Sequence, residues 1–301
     1  MPMDIVVASG KGGVGKSLVT SSLLYVLRDK YSVIGLDADA PAPNLHLIFG
    51  VEDWEYVEDY AGGEVAEISP EKCIKCNICV DKCIYDAIVP ASGESIPIIR
   101  DYLCEGCRAC GYSCPVNAIT YREILSGVLR RTTTSYGFPL ISAKLDVGRP
   151  NSGKLVADER KWAREMAGDD TVTFIDSAAG IGCEAIASMS GASAAILVAE
   201  PTEASVSDMA RAYGIASHFG VKSYIVVNKS SINPGFGGIE RFARENNIDI
   251  IGTIPYDDSI PHSARMRKPL LEAYPDSSAS GALRDVASAV EEIIENSGLL
   301  K

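Results

Sequence analysis

Residues 9–17 read Ser9-Gly10-Lys11-Gly12-Gly13-Val14-Gly15-Lys16-Ser17. The apolar run Ile5-Val6-Val7-Ala8 precedes this stretch, and a helical pattern over residues 18–27 follows it. Strand, glycine loop and helix in that order form the setting of a phosphate-binding loop. The glycines let backbone N–H groups turn inward around phosphate oxygens, Lys16 adds a positive charge, and the Ser17 hydroxyl can ligand Mg²⁺. Gly10, Lys11, Gly12, Gly13, Val14, Gly15, Lys16 and Ser17 are therefore the candidate ATP contacts. A merely structural glycine turn is the competing reading, and the correct flanks weigh against it.

Two further strand signals end in carboxylates. Val33-Ile34-Gly35-Leu36 runs into Asp37-Ala38-Asp39, and Thr171-Val172-Thr173-Phe174-Ile175 runs into Asp176, with Gly180 four residues on. Parallel α/β sheets bind ligands at the carboxyl ends of their strands, which is where such residues would meet the phosphates. Asp176 followed by Gly180 fits a loop that senses Mg²⁺ and the γ-phosphate. Acidic residues in an exposed turn are the plainer reading of Asp37 and Asp39. Apolar runs at residues 194–199, 223–227 and 250–254 alternate with helical patterns at residues 205–219, 239–246 and 282–296, which argues for a parallel, doubly covered sheet. The segment Asp146-Val147-Gly148-Arg149-Pro150-Asn151-Ser152-Gly153 reads as a loop before a helical run from Lys154, and no chemistry attaches to it.

The 301 residues suffice for a large core, and 47% hydrophobic with 23% charged residues is ordinary globular composition. A formal net charge of −12 argues against a nucleic-acid partner, because phosphate backbones call for clustered Lys and Arg. No apolar stretch approaches the length of a membrane span, and Glu291, Glu292 and Glu295 put acid on the polar face of the last helical segment. Neither a membrane nor a secretory route is expected, so the expected location is the cytoplasm. His46, His218 and His262 stand alone, without partners at ligand spacing.

Residues 61–121 interrupt the α/β pattern with short elements separated by cysteines and prolines. Eight of the nine cysteines fall here, as Cys73-x-x-Cys76-x-x-Cys79-x-x-x-Cys83 and Cys104-x-x-Cys107-x-x-Cys110-x-x-x-Cys114-Pro115. Tyr85-Asp86-Ala87-Ile88 follows the first run and Val116-Asn117-Ala118-Ile119 the second, so the unit is internally duplicated. Each run has the spacing that holds a [4Fe–4S] cluster, and the pair is the bacterial two-cluster ferredoxin pattern. In that pattern the last cysteine of each run ligates the other cluster. The sets are then Cys73, Cys76, Cys79 with Cys114, and Cys104, Cys107, Cys110 with Cys83. Zinc is the competing metal. Ile84 stands where the first run lacks the usual proline.

Lys11, directly after the first glycine of the loop, makes the sequence resemble the deviant P-loop ATPases of the MinD/ParA/nitrogenase-iron-protein superfamily. The resemblance covers nearly the whole chain and implies an α/β fold: a doubly wound, mostly parallel P-loop NTPase sheet (residues 1–60 and 122–301) with an inserted α+β bacterial-type ferredoxin domain (61–121). It implies a homodimer on ATP binding in which Lys11 reaches the partner's nucleotide while Lys16 acts in cis. It further implies that Asp39 positions the attacking water, that Asp37 lies near the Mg²⁺ shell, and that Asp176 acts on the metal. Asn228 would read the adenine and Pro255 would line the base pocket. Glu200-Pro201-Thr202-Glu203, at another strand end, would border the nucleotide.

The expected function is ATP-driven closure coupled to electron transfer from two [4Fe–4S] clusters to a redox partner or client metalloprotein, in metalloenzyme maturation. An iron–sulfur carrier of the ApbC/Mrp kind is the alternative. Such carriers use a late Cys-x-x-Cys pair, and this chain has no cysteine after Cys183. Cys183 itself reads as a small apolar residue.

Overall fold

A computed structural model describes residues 2–147 and 152–299. The centre of the expected loop at residues 146–153, residues 148–151, lies outside the described residues. The chain forms two compact units. The larger comprises residues 1–58, 129–144 and 153–301, and the smaller comprises residues 59–128 and 145–152.

The strands in chain order are β1 (Met3–Ala8), β2 (Ser32–Ala38), β3 (Tyr56–Tyr60), β4 (Gly63–Ile68), β5 (Ile88–Val89), β6 (Ile98–Ile99), β7 (Ile119–Ile124), β8 (Gly127–Thr133), β9 (Pro139–Leu145), β10 (Thr171–Ser177), β11 (Ala194–Ala199), β12 (Lys222–Val227) and β13 (Asp249–Thr253). The main sheet has the order β13-β12-β11-β1-β10-β2-β9-β8-β3. Its pairs from β13 through β9 are parallel.

Sheets of this kind are covered on both faces, so their strands carry apolar side chains in both directions. In β1, Ile5 and Val7 enter one core with Leu23, Phe174 and Val286, while Val6 and Ala8 enter the other with Met209, Ala212 and Ile225. The helix Lys16–Leu27 buries Val19, Leu23, Leu24 and Leu27. The last helix, Ser278–Ser297, buries Leu283, Val286, Val290 and Ile294 on one face. Its acids Glu291 and Glu295 pair with Lys30. Its apolar face is thus spent inside the protein. No helix among the described residues is long and apolar enough to cross a membrane.

The smaller unit is built differently. β4 and β7 form an antiparallel ribbon running from Gly63↔Ile124 to Ile68↔Ile119, and β5 pairs antiparallel with β6. The short helices Ile78–Lys82 and Ala109–Tyr112 carry the third cysteine of each run, Cys79 and Cys110. The unit extends past residue 121 because β7 continues to Ile124 and Asp146 N donates to Ser126 O at 2.8 Å.

Candidate functional site

At the carboxyl ends of β1, β2, β10, β11 and β12, the larger unit gathers most of its sequence-marked residues. The loop after β1 turns through positive φ at Gly13 (78°) and Gly15 (104°), where a side chain would be strained. A Cβ on Gly15 would also stand 2.2 Å from Asn228 Nδ2, and one on Gly10 would stand 1.9 Å from the Asp208 carbonyl oxygen. These glycines are needed for close approach as well as for the turn. Lys16 opens the following helix and is 8% exposed.

β2 and β10 are neighbours in a register that sets Asp37 directly opposite Asp176. Both carboxylates are buried. Burial pushes both above the usual carboxylate range; the Asp176 charge adds to the rise at Asp37, and the Asp39 charge adds to the rise at Asp176. The Ser17 hydroxyl, the Lys16 charge and the Thr20 hydroxyl act the other way on Asp176. Thr20 Oγ1 lies 3.3 Å from Asp176 Oδ1. A divalent cation beside Ser17 and Asp176 would relieve the charge crowding, and hydroxyl and carboxylate oxygens are the donors Mg²⁺ takes.

Asp37 has a further task. Its Oδ2 accepts from Asn44 N and Leu45 N at 2.7 Å each, and its Oδ1 accepts from Asp39 N at 3.3 Å. It anchors the turn that carries Asp39. Asp39 itself is partly exposed, raised by burial and lowered in part by the nearby Lys16 charge.

Gly180 (φ 90°) donates its N–H to Ser9 O at 3.0 Å, so the loop after β10 rests on the phosphate loop. Asn228 is buried at the end of β12. Its Nδ2 donates to Val14 O at 2.7 Å and its Oδ1 accepts from Lys229 N at 2.8 Å. What the structure shows Asn228 doing is bracing the phosphate loop. Pro255 follows Ile254, whose N–H donates to Val227 O and whose carbonyl accepts from Ser230 N. Pro255 is thereby held beside the segment that begins with Asn228.

The sequence left Glu200 almost unread, and it proves central. Its carboxylate pairs with Lys11 Nζ at 2.9 Å and with Lys229 Nζ, while Lys229 Nζ also donates to Gly13 O at 3.0 Å. Burial pushes the Glu200 carboxyl up, but the hydrogen bonds from Lys229 and Lys11 outweigh it and leave the group below its ordinary range. Lys11 is therefore folded back onto its own chain. The only sequence signal was an acid at a strand end beside the loop.

In the smaller unit the cysteines line two cavities. One is lined by Cys73, Cys76, Cys79 and Cys114, and the other by Cys104, Cys107, Cys110 and Cys83. Each draws three cysteines from one run and the last from the other. The backbone repeats as well. Lys75 and Gly106, Asn77 and Arg108, and Asp86 and Asn117 are pairs 31 residues apart with φ between 49° and 64°. Among the described residues no group of three or more His, Cys, Asp or Glu converges on a point suited to one metal ion. Thiolates that hold a cubane each bind a different iron atom, so lining a cavity is the arrangement they need. Cys183 is exposed, at the start of the helix Cys183–Met189.

Among known proteins, an uncharacterised protein of Methanocaldococcus jannaschii is 32% identical over 296 residues, 97% of this chain and 98% of its own. An iron–sulfur cluster carrier protein of Pyrococcus horikoshii is 25% identical over 298 residues, 94% of this chain and 83% of its own. The solved septum site-determining protein MinD of Pyrococcus horikoshii, in complex with Mg-ADP, aligns with a TM-score of 0.60 at 19% identity over 99% of each chain. That likeness is one of fold. From residue 5 to residue 270 the chain fits the CobQ/CobB/MinD/ParA nucleotide binding domain, and it belongs to that family of P-loop ATPases.

Proposed function

We propose that this chain binds and hydrolyses ATP with Mg²⁺ in the larger unit, and holds two [4Fe–4S] clusters in a ferredoxin-like smaller unit that passes electrons to a redox partner or client metalloprotein. The observation that carries the cluster half is the exchange of cysteines between the two runs, three plus one in each cavity. Four thiolates around an enclosed group favour retention, which suits electron transfer, and such a cluster supplies one-electron chemistry when bound.

At the nucleotide, the N–H groups of residues 10–17 and Lys16 bind and orient the phosphates, while Ser17 and Asp176 hold the cation. Asp37 fixes the turn that presents Asp39 to the attacking water. Gly180 N–H donates to Ser9 O, and a γ-phosphate beside it would offer a competing acceptor that draws the loop after β10 with it. Lys11 reaches a partner chain's nucleotide only after leaving Glu200. ATP binding and dimer closure are thereby coupled.

The carrier reading is favoured by a separate observation, the likeness to the carrier protein of Pyrococcus horikoshii over 94% of this chain. An anaerobic reconstitution distinguishes the two. Electron transfer requires about eight irons per chain, stable to an apo-ferredoxin acceptor, with EPR signals that respond to Mg-ATP. Quantitative movement of iron to the acceptor supports the carrier instead. Lys16→Ala should weaken ATP binding by about 100-fold with iron content intact, the expected loss for a buried charge on phosphate.

A further inference from the structure

The two cysteine cavities share a backbone but differ in what faces the sulfurs. Tyr121 stands on β7 opposite Ala66 of β4. Its hydroxyl lies 3.8 Å from Cys110 Sγ and 3.2 Å from the Arg108 carbonyl oxygen. From the facing strand, Ala66 N donates to Cys104 Sγ at 3.5 Å. The ribbon thus brings a side-chain and a backbone donor to one site.

Space for the hydroxyl is provided by Gly111, where a Cβ would stand 2.2 Å from the Tyr121 oxygen. The Arg108 guanidinium lies over the Tyr121 ring, 5.0 Å from its centroid, held by Glu64, and Lys82 lines the same cavity.

Shifted by the repeat of 31 residues, Cys110 becomes Cys79, Gly111 becomes Val80 and Tyr121 becomes Pro90. The first cavity therefore lacks both the hydroxyl and the gap that would admit it. Its sulfur Cys114 accepts from Ala118 N at 3.2 Å. The rest of its lining is apolar except Asn77, whose Oδ1 accepts from Ala91 N at 2.8 Å.

A ligated thiolate has no hydrogen, so the Tyr121 hydroxyl becomes the donor to Cys110 Sγ, sharing its one hydrogen with the Arg108 carbonyl. A donor and a cation beside cluster sulfurs favour the form with one more electron. We infer that Tyr121, admitted by Gly111, is a positioning residue that makes the cluster on Cys83, Cys104, Cys107 and Cys110 the higher-potential of the two. With clusters bound, the set on Cys83, Cys104, Cys107 and Cys110 would take up an electron from a one-electron reductant before the set on Cys73, Cys76, Cys79 and Cys114.

The inference rests on the cluster reading above. The test is an EPR-monitored dithionite titration of the anaerobic, iron-loaded full chain, with iron counted on each sample. Cys107→Ala and Cys76→Ala assign the two signals. The wild type should show two separated midpoints, the higher one lost in Cys107→Ala. Tyr121→Phe should lower that midpoint alone, at unchanged iron content, and Gly111→Ala should do the same by displacing the hydroxyl. Midpoints unmoved in Tyr121→Phe, or a shift confined to the other cluster, would overturn the inference while leaving the clusters in place. A chain that takes up no iron overturns the cluster reading first and this inference with it.

Discussion

The two units reach order by opposite means. In the larger, β1 is buried on both faces, and its side chains enter two extensive apolar cores. Its buried polar groups answer one another: Asp37 holds the turn after β2, Asn228 braces the phosphate loop, and Glu200 gathers two lysines. In the smaller, one buried cluster is Ala66, Ile88 and Cys110, with Cys79, Cys83 and Cys104 packed against it. Thiols there stand where aliphatic side chains would stand in an ordinary core. A unit of that size has little apolar surface to bury, so a bound group contributes directly to its folding. The larger unit is ordered by its own packing, while the smaller has little apolar packing of its own and would gain stability from the clusters proposed for it.

Stripping metal should expose this difference most clearly. Chelation under reducing conditions is expected to open residues 59–128 to protease at rates at least about 10-fold higher, while ATP affinity stays within about twofold. Limited proteolysis with mass spectrometry, beside a nucleotide-binding titration, checks both halves. Equal loss of protection in both units would remove the contrast.

Gly15→Ala should be the most damaging single change in the larger unit. It combines a positive φ with a 2.2 Å approach to Asn228 Nδ2, for a destabilisation of about 2–4 kcal/mol. Nucleotide binding should fall with it. Chemical denaturation and calorimetric titration measure the two effects, and iron content should not change.

A smaller and more selective effect is expected from Glu200→Gln, which releases Lys11 and Lys229 without altering shape. Lys11 is then freer to leave its own chain, so ATP-dependent self-association should appear at protein concentrations several-fold lower, on the order of 1 kcal/mol. Sedimentation with and without Mg-ATP reads it. Association unchanged in the variant would assign the Glu200 pair to stability alone.

The smallest effect concerns Asp257, outside both sites. Its oxygens accept from Ser259 N at 2.9 Å, from the Ser259 and Ser278 hydroxyls and from Ala279 N at 3.1 Å, so it ties the helices Ser259–Arg265 and Ser278–Ser297 together. The Ser259 hydroxyl, ahead of the other donors, holds its carboxyl well below the ordinary range. A depressed folded pKa gives stability that is present above the unfolded value and is lost as pH falls through the folded one. Asp257→Asn should therefore cost about 1 kcal/mol at neutral pH, with the gap from wild type narrowing as acid is added below about pH 4. Thermal melts across pH 3–7 test the sign.

Short-range features were legible from the chain. The phosphate loop is contiguous, so its strand, glycines, lysines and helix could be read directly, and five further parallel strands, β2, β10, β11, β12 and β13, were legible as apolar runs for the same reason. β8 and β9 were not read. Gly127-Val128-Leu129-Arg130-Arg131-Thr132-Thr133 mixes charge with apolar residues, and Pro139-Leu140-Ile141-Ser142 is apolar over too short a span. Both become strands because the sheet beside β2 offers unpaired backbone, which is a tertiary reward rather than a local preference.

By itself, the sequence determined the class of this protein, a P-loop ATPase, and the presence of two duplicated cysteine runs, because both are written as residues at fixed spacing. Tertiary structure alone decided which groups answer each other across long separations. Asp37 meets Asp176 through strand register, and Lys11 meets Glu200. Tyr121 meets one set of cysteines and not its repeat. Hydrogen bonds and ion pairs act over a few ångströms, and only the packed chain brings residues that are far apart in sequence within that range.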